Sequence, residues 1–101
     1  MNQDPTPTPR TIRALELREL ARIERLHSLA YIPAEQRARV ARDAALERMQ
    51  ANRYDPSAIF AFRTAQSWHT GAAANVAATR LNAEEAEARA TQAEQWAAEE
   101  T

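Results

Sequence analysis

Glu24 and His27 are the first residues in this chain whose types and spacing could do chemistry. Three residues apart on a helix, they share a face. Carboxylate metal sites in four-helix proteins use such Glu-x-x-His pairs, with further Glu residues from neighbouring helices. One pair supplies too few ligands, so a ferritin-like metal site would need an oligomer to bring a second. Arg18, Arg22 and Arg25 surround the pair and oppose a cation, which favours a plain solvated surface. His69, beside Trp68, falls in an alanine-rich stripe. There it is a hydrogen-bonded packing residue or a pH-sensitive register device. The 101-residue chain has no Cys, which removes disulfides, Cys-ligated zinc and thiol catalysis. A single Gly leaves no Gly-rich phosphate loop. Ser28, Ser57 and Ser67 have no acid–base partner at nucleophile spacing. The sequence therefore predicts no enzyme and no cofactor.

All 13 basic residues are Arg. A GC-rich coding sequence, as in a high-GC bacterium or its phage, accounts for Arg and Ala in place of Lys. Residues 1–63 carry eleven Arg against eight acids, and residues 64–101 two Arg against six Glu. Such asymmetry points to a basic binding face or to two halves packing on each other. Arg37, Arg39, Arg42, Arg48, Arg53 and Arg63 are the densest basic set and the candidate nucleic-acid contacts. The "NRYD" turn between two helices has the length of a helix-turn-helix. It lacks glycine, and Phe60, Phe62 and Trp68 make the following helix look buried rather than reading. Nucleic acid is thus the alternative partner class.

The elements that must position these residues read as all-α, with three main helices. Residues 1–8, rich in Pro and polar residues, read as a flexible leader. Thr8-Pro9 is an N-cap followed by Pro at the first helical position, opening a helix over 9–28. Ile12, Leu15, Leu20, Ile23 and Leu26 fall on one arc, with Ala14, Leu17 and Ala21 opposite. Pro33 should end that helix and start another over 33–51, with a face of Ala34, Ala38, Ala41, Ala45 and Met49. Asp55-Pro56 opens a third, over 56–70, continuing as a long Ala-rich C-terminal helix with Gly71 and Asn82 as candidate breaks. The expected core is Ile12, Leu15, Leu20, Ile23, Leu26, Val40, Met49, Ile59, Phe60, Phe62 and Trp68, within residues 9–71.

From Asp55 onward a heptad holds. Phe62, His69, Val76, Ala83, Ala90 and Ala97 occupy one position; Ala58, Ala65, Ala72, Thr79, Ala86 and Ala93 occupy the other. Ten of the twelve are apolar and eight are Ala. A helical seam keeps this spacing and a disordered acidic tail does not. Residues 72–101 then read as an Ala/Glu-rich extension whose seam, with Trp96 beside it, is left as a coiled-coil interface.

The expected function is a helical assembly or adaptor protein that pairs with itself or with a partner helix. No apolar run is long enough for a membrane span, and no signal peptide is evident, so a cytoplasmic location is expected. No family pattern fits: Trp68-His69-Thr70-Gly71 is not the Trp-x-Gly turn of small secreted helical hairpins, and it lies past the middle.

Overall fold

A computed structural model describes residues 6–100. It is all-helical, with two helices rather than three: α1, Pro9–Ala51, and α2, Pro56–Ala98. Five residues of the expected leader, 1–5, lie outside the described residues, and residues 6–8 have no regular structure. The helix starts are those the capping residues announce. The Thr11 amide donates to Thr8 Oγ1 at 3.2 Å, and the Ser57 amide to Asp55 Oδ1 at 2.9 Å. Each cap satisfies one of the donors a helix start leaves open, and Pro9 and Pro56 have no donor to satisfy. At the end of α1 the Asn52 side-chain amide donates back to the Arg48 carbonyl at 3.0 Å.

The break expected at Pro33 does not occur; Pro33 lies inside α1. It stands two heptads after Glu19 and one after Leu26, on the exposed side of the helix. Water there can take the hydrogen bond that the Leu29 carbonyl loses, so the proline weakens the helix without ending it. Neither Gly71 nor Asn82 interrupts α2. Gly71 has ordinary helical backbone, and a Cβ added to it would meet nothing within 4 Å. Gly71→Ala is therefore expected to raise stability by about 0.5–1 kcal/mol. A urea titration checks this, and a lowered midpoint would mean that something packs against that position.

The chain divides into two compact units. Unit 1 joins Met1–His27 to Thr79–Thr101, and unit 2 is Ser28–Ala78. In unit 1, Ala14 and Ala21 of α1 and Ala83, Ala90 and Ala93 of α2 are buried. In unit 2 the buried residues are Ser28, Ala38 and Ala58. No large side chain is fully buried among the described residues. Each unit is held by small residues at heptad spacing, which let two helix backbones approach toward the short end of the usual ~8–10 Å range.

This reverses the expected packing of α1. Ala14, Leu17 and Ala21 turn inward, and Ile12, Leu15, Leu20, Ile23 and Leu26 are exposed, as are Val40, Phe60 and Trp68. Of the expected core only Met49, Ile59 and Phe62 are even half-buried. The physical reason is that each unit contains just two helical segments. A helix with one neighbour buries one narrow face, and the Ala face allows the closer contact. Among the later residues of α1 the expected face does turn inward: Ala38 is buried, and Ala34, Ala41, Ala45 and Met49 are half-buried.

Candidate interaction surfaces

All twelve heptad positions read from the α2 sequence are buried or half-buried: Ala58, Phe62, Ala65, His69, Ala72 and Val76 in unit 2, and Thr79, Ala83, Ala86, Ala90, Ala93 and Ala97 in unit 1. Within each unit the stretch of α1 covers them. The seam is a pairing surface inside the chain.

Polar contacts in unit 1 fix how the two segments pair. Arg18 Nε donates to Glu94 Oε2 at 3.1 Å, and Arg25 Nε donates to Glu87 Oε1 at 2.8 Å. Both the Arg pair and the Glu pair are seven residues apart, and they ascend in opposite senses, so the segments run antiparallel. Beyond them Arg10 pairs with Glu100 at 3.1 Å. Its guanidinium lies 4.2 Å from the Trp96 ring centroid, and it donates to the Trp96 carbonyl at 3.2 Å. A cation over indole at such a site is worth about 0.5–1 kcal/mol. Trp96 is thus engaged with this chain's own Arg10. The sequence carried this ladder, since Arg18 and Arg25 match Glu87 and Glu94 at heptad spacing. Reading α1 alone makes those arginines look like ordinary solvated surface.

The hydrogen bond from Arg18, with its charge, holds the Glu94 carboxyl below the usual carboxylate range, and Arg22 does the same to Glu19. A carboxylate held low when folded adds stability above the unfolded-state value. That stability is lost as pH falls through the ordinary Glu range, below about pH 4.3. Both groups are open to solvent, so the effect is small and screened by salt. Arg18→Gln is expected to flatten the fall in unfolding midpoint between about pH 5 and pH 3, a slope that pH-dependent urea titrations read directly.

Unit 2 contains a polar layer around His69. His69 Nε2 lies 2.9 Å from Glu35 Oε1, and Nδ1 lies 3.0 Å from Arg42 Nη1. A guanidinium only donates, so Nδ1 is the acceptor and Nε2–H donates to Glu35. Arg42 is also held by Asp43 at 2.9 Å. At the turn Arg48 Nη2 donates to Ser57 Oγ at 3.2 Å. Contacts at 35–69 and at 48–57 mean that the two segments lie side by side over several turns, whereas the two helices of a helix-turn-helix cross steeply.

The candidate nucleic-acid residues therefore separate. Arg42 and Arg48 serve the internal packing of unit 2. No ion pair among the described residues involves Arg37, Arg39, Arg53 or Arg63. Arg53 and Arg63 line one shallow groove with Met49, Gln50, Ile59, Phe62 and Gln66. Tyr54, at the turn, is 95% exposed, and Phe60 is 73% exposed.

The metal pair does not gain a full set of ligands within the described residues. Glu24 is half-buried beside Leu17, Leu20, Glu85 and Arg89, and His27 is exposed. Among the described residues no three His, Asp or Glu side chains are grouped as a metal site.

A further surface is rich in aliphatic side chains, with Glu19 and Arg22 set among them. Ile12, Leu15, Leu20, Ile23 and Leu26 are each about half exposed or more, with Leu15 at 64%. They lie on the side of α1 away from its seam. These residues are visible in the sequence as one apolar arc, yet the arc alone does not say whether it faces inward. The Ala14, Leu17 and Ala21 register, matched against the α2 seam, is the signal that would have.

No protein-family model, curated protein or solved structure matches this chain. The reading of function therefore rests on these surfaces. No helix among the described residues is long and apolar enough to cross a membrane.

Proposed function

We propose that the protein is a non-enzymatic helical assembly or adaptor protein that docks another helix on the outward face of α1. The observation that carries this reading is the run of exposed aliphatic side chains at Ile12, Leu15, Leu20, Ile23 and Leu26. Single exposed Leu residues are ordinary, whereas a contiguous apolar face marks an interface. The Ala seam of α2, read from sequence as the docking surface, already serves the chain itself.

The reading requires that the aliphatic face contributes little to the fold of the isolated chain. The triple variant Leu15→Gln, Ile23→Gln, Leu26→Gln, studied below micromolar concentration, is expected to keep its helical circular dichroism. Its unfolding free energy should stay within about 0.5 kcal/mol per site of the parent. A loss of about 2 kcal/mol or more per site would identify these side chains as core and overturn the reading.

A second reading has its own observation. Unit 2 carries six Arg against four acids, and Arg53 and Arg63, in no ion pair among the described residues, belong to the same unit as the exposed Tyr54 and Phe60. Cations beside exposed aromatics suit a single-stranded nucleic acid, whose bases stack while its phosphates pair. Under this reading, affinity for single-stranded DNA falls steeply as salt rises, and Arg53→Ala with Arg63→Ala weakens it. Affinity that is flat from low to moderate salt removes it.

A further inference from the structure

We infer that the partner of this face is a second copy of the chain, paired antiparallel about a twofold axis near residues 20 and 21 of α1. This rests on the docking reading above and names its partner.

The outward face of α1 has a heptad of its own. Ile12, Leu15, Glu19, Arg22 and Leu26 follow one another at spacings of three, four, three and four, and all are exposed. A helix presenting such a row has the seam of a coiled coil. The row is also self-complementary when reversed. In an antiparallel pair about a twofold axis, residue i meets residue j of the copy while j meets i. Counting outward from 20 and 21, Glu19 meets the copy's Arg22, and Leu15 meets the copy's Leu26. Ile12 meets position 29, which is also Leu. Within this row apolar residues thus meet apolar ones, and the acid meets the base. Moving the axis by half a turn or more loses this: an axis at residue 19 sets Glu19 against Glu19. A parallel pairing sets Glu19 on Glu19 and Arg22 on Arg22.

The structure prepares both charges. Arg22 Nε donates to Glu19 Oε2 of its own chain at 3.0 Å. A guanidinium has five N–H donors in a planar fork, so Arg22 can keep its own Glu19 and still reach the copy's. Arg18 and Arg25, which border the row, are matched by Glu94 and Glu87, so they bring little uncompensated charge to the interface.

The test uses the full chain and sedimentation equilibrium from micromolar to several hundred micromolar. The parent is expected to form a dimer. Glu19→Arg and Arg22→Glu are each expected to weaken self-association about tenfold or more, because each sets like charges against each other across the axis. An equimolar mixture of the two variants is expected to dimerise about as well as the parent. Glu19→Arg leaves a base at both positions of one chain, and Arg22→Glu leaves an acid at both positions of the other, so opposite charges meet again across the axis. Neither variant regains its internal 19–22 pair on mixing, so a merely local role for that pair cannot produce the rescue.

Orientation is read in this Cys-free chain with Leu15→Cys and Leu26→Cys variants. Under mild oxidation a disulfide is expected in the mixture of the two and not in either alone. A parent that stays monomeric overturns the inference. So does a dimer indifferent to both charge variants, or a disulfide formed by either cysteine variant alone. A monomer whose triple glutamine variant folds normally leaves the docking reading standing with another partner. A triple variant that unfolds at high dilution removes both.

Discussion

Ala83→Glu combined with Ala90→Glu is expected to melt unit 1. Both alanines are fully buried in the seam that holds α2 against α1. From sequence alone, the same double variant would be expected to disperse an oligomer and leave the first two helices folded. The structure changes that expectation, because the covering surface is the chain's own α1. Each substitution places a carboxylate where the alanine side chain is already fully covered. An unpaired buried charge costs several kcal/mol, and overpacking adds about 1–3 more. A domain of this size has only about 5–15 kcal/mol in total. Circular dichroism at 222 nm should fall by a large fraction in dilute solution, and the urea transition should lose its cooperativity. A variant that kept full helicity as a monomer would show that the seam is not what holds unit 1 together.

Pro33→Ala is expected to act in the opposite sense, with the second largest effect. Proline in a helix interior is about 3 kcal/mol less favourable than alanine. Its ring crowds the preceding turn, and the Leu29 carbonyl loses its donor. Against this, proline restricts the unfolded chain, which offsets about 0.4–1 kcal/mol. The exposed side chain of Pro33 offers no packing that alanine would forfeit. The variant should gain about 2 kcal/mol in urea unfolding, with an unchanged dependence on denaturant. An unchanged or lowered midpoint would mean that the proline shapes α1 in a way that its pairing within unit 2 needs.

Helix starts were legible from sequence because capping is local. Thr8 with Pro9, and Asp55 with Pro56, need only their own neighbours to act. The α2 seam was legible because its heptad persists through Gly71. The end of the first helix was not, since proline's preference is also local but is outweighed here by pairing with α2 over the rest of α1. The inward face of α1 was not legible from size. Large aliphatic side chains at Ile12, Leu15 and Leu26 suggest a core, but in a two-helix unit the smaller face packs closer. The Arg18–Glu94 and Arg25–Glu87 ladder needed both helices aligned before either arginine meant anything. The arginine set divides for the same reason: the sequence neighbours of Arg42 suit phosphate, and in the structure its guanidinium donates to His69 Nδ1.

The Glu35–His69–Arg42 layer has one further consequence, for how unit 2 finds a single alignment. Ala58, Ala65 and Ala72 are interchangeable under a shift of seven residues, so a seam made of them alone would be nearly periodic, with several equivalent settings. His69 breaks that translational degeneracy. Shift α2 by one heptad and either Phe62 or Val76 arrives between Glu35 and Arg42. The half-buried carboxylate of Glu35 is then left without its donor, at a cost of about 1–3 kcal/mol. Set between Phe62 and Val76, which differ from it in size as well as polarity, the imidazole works like the mark on a vernier.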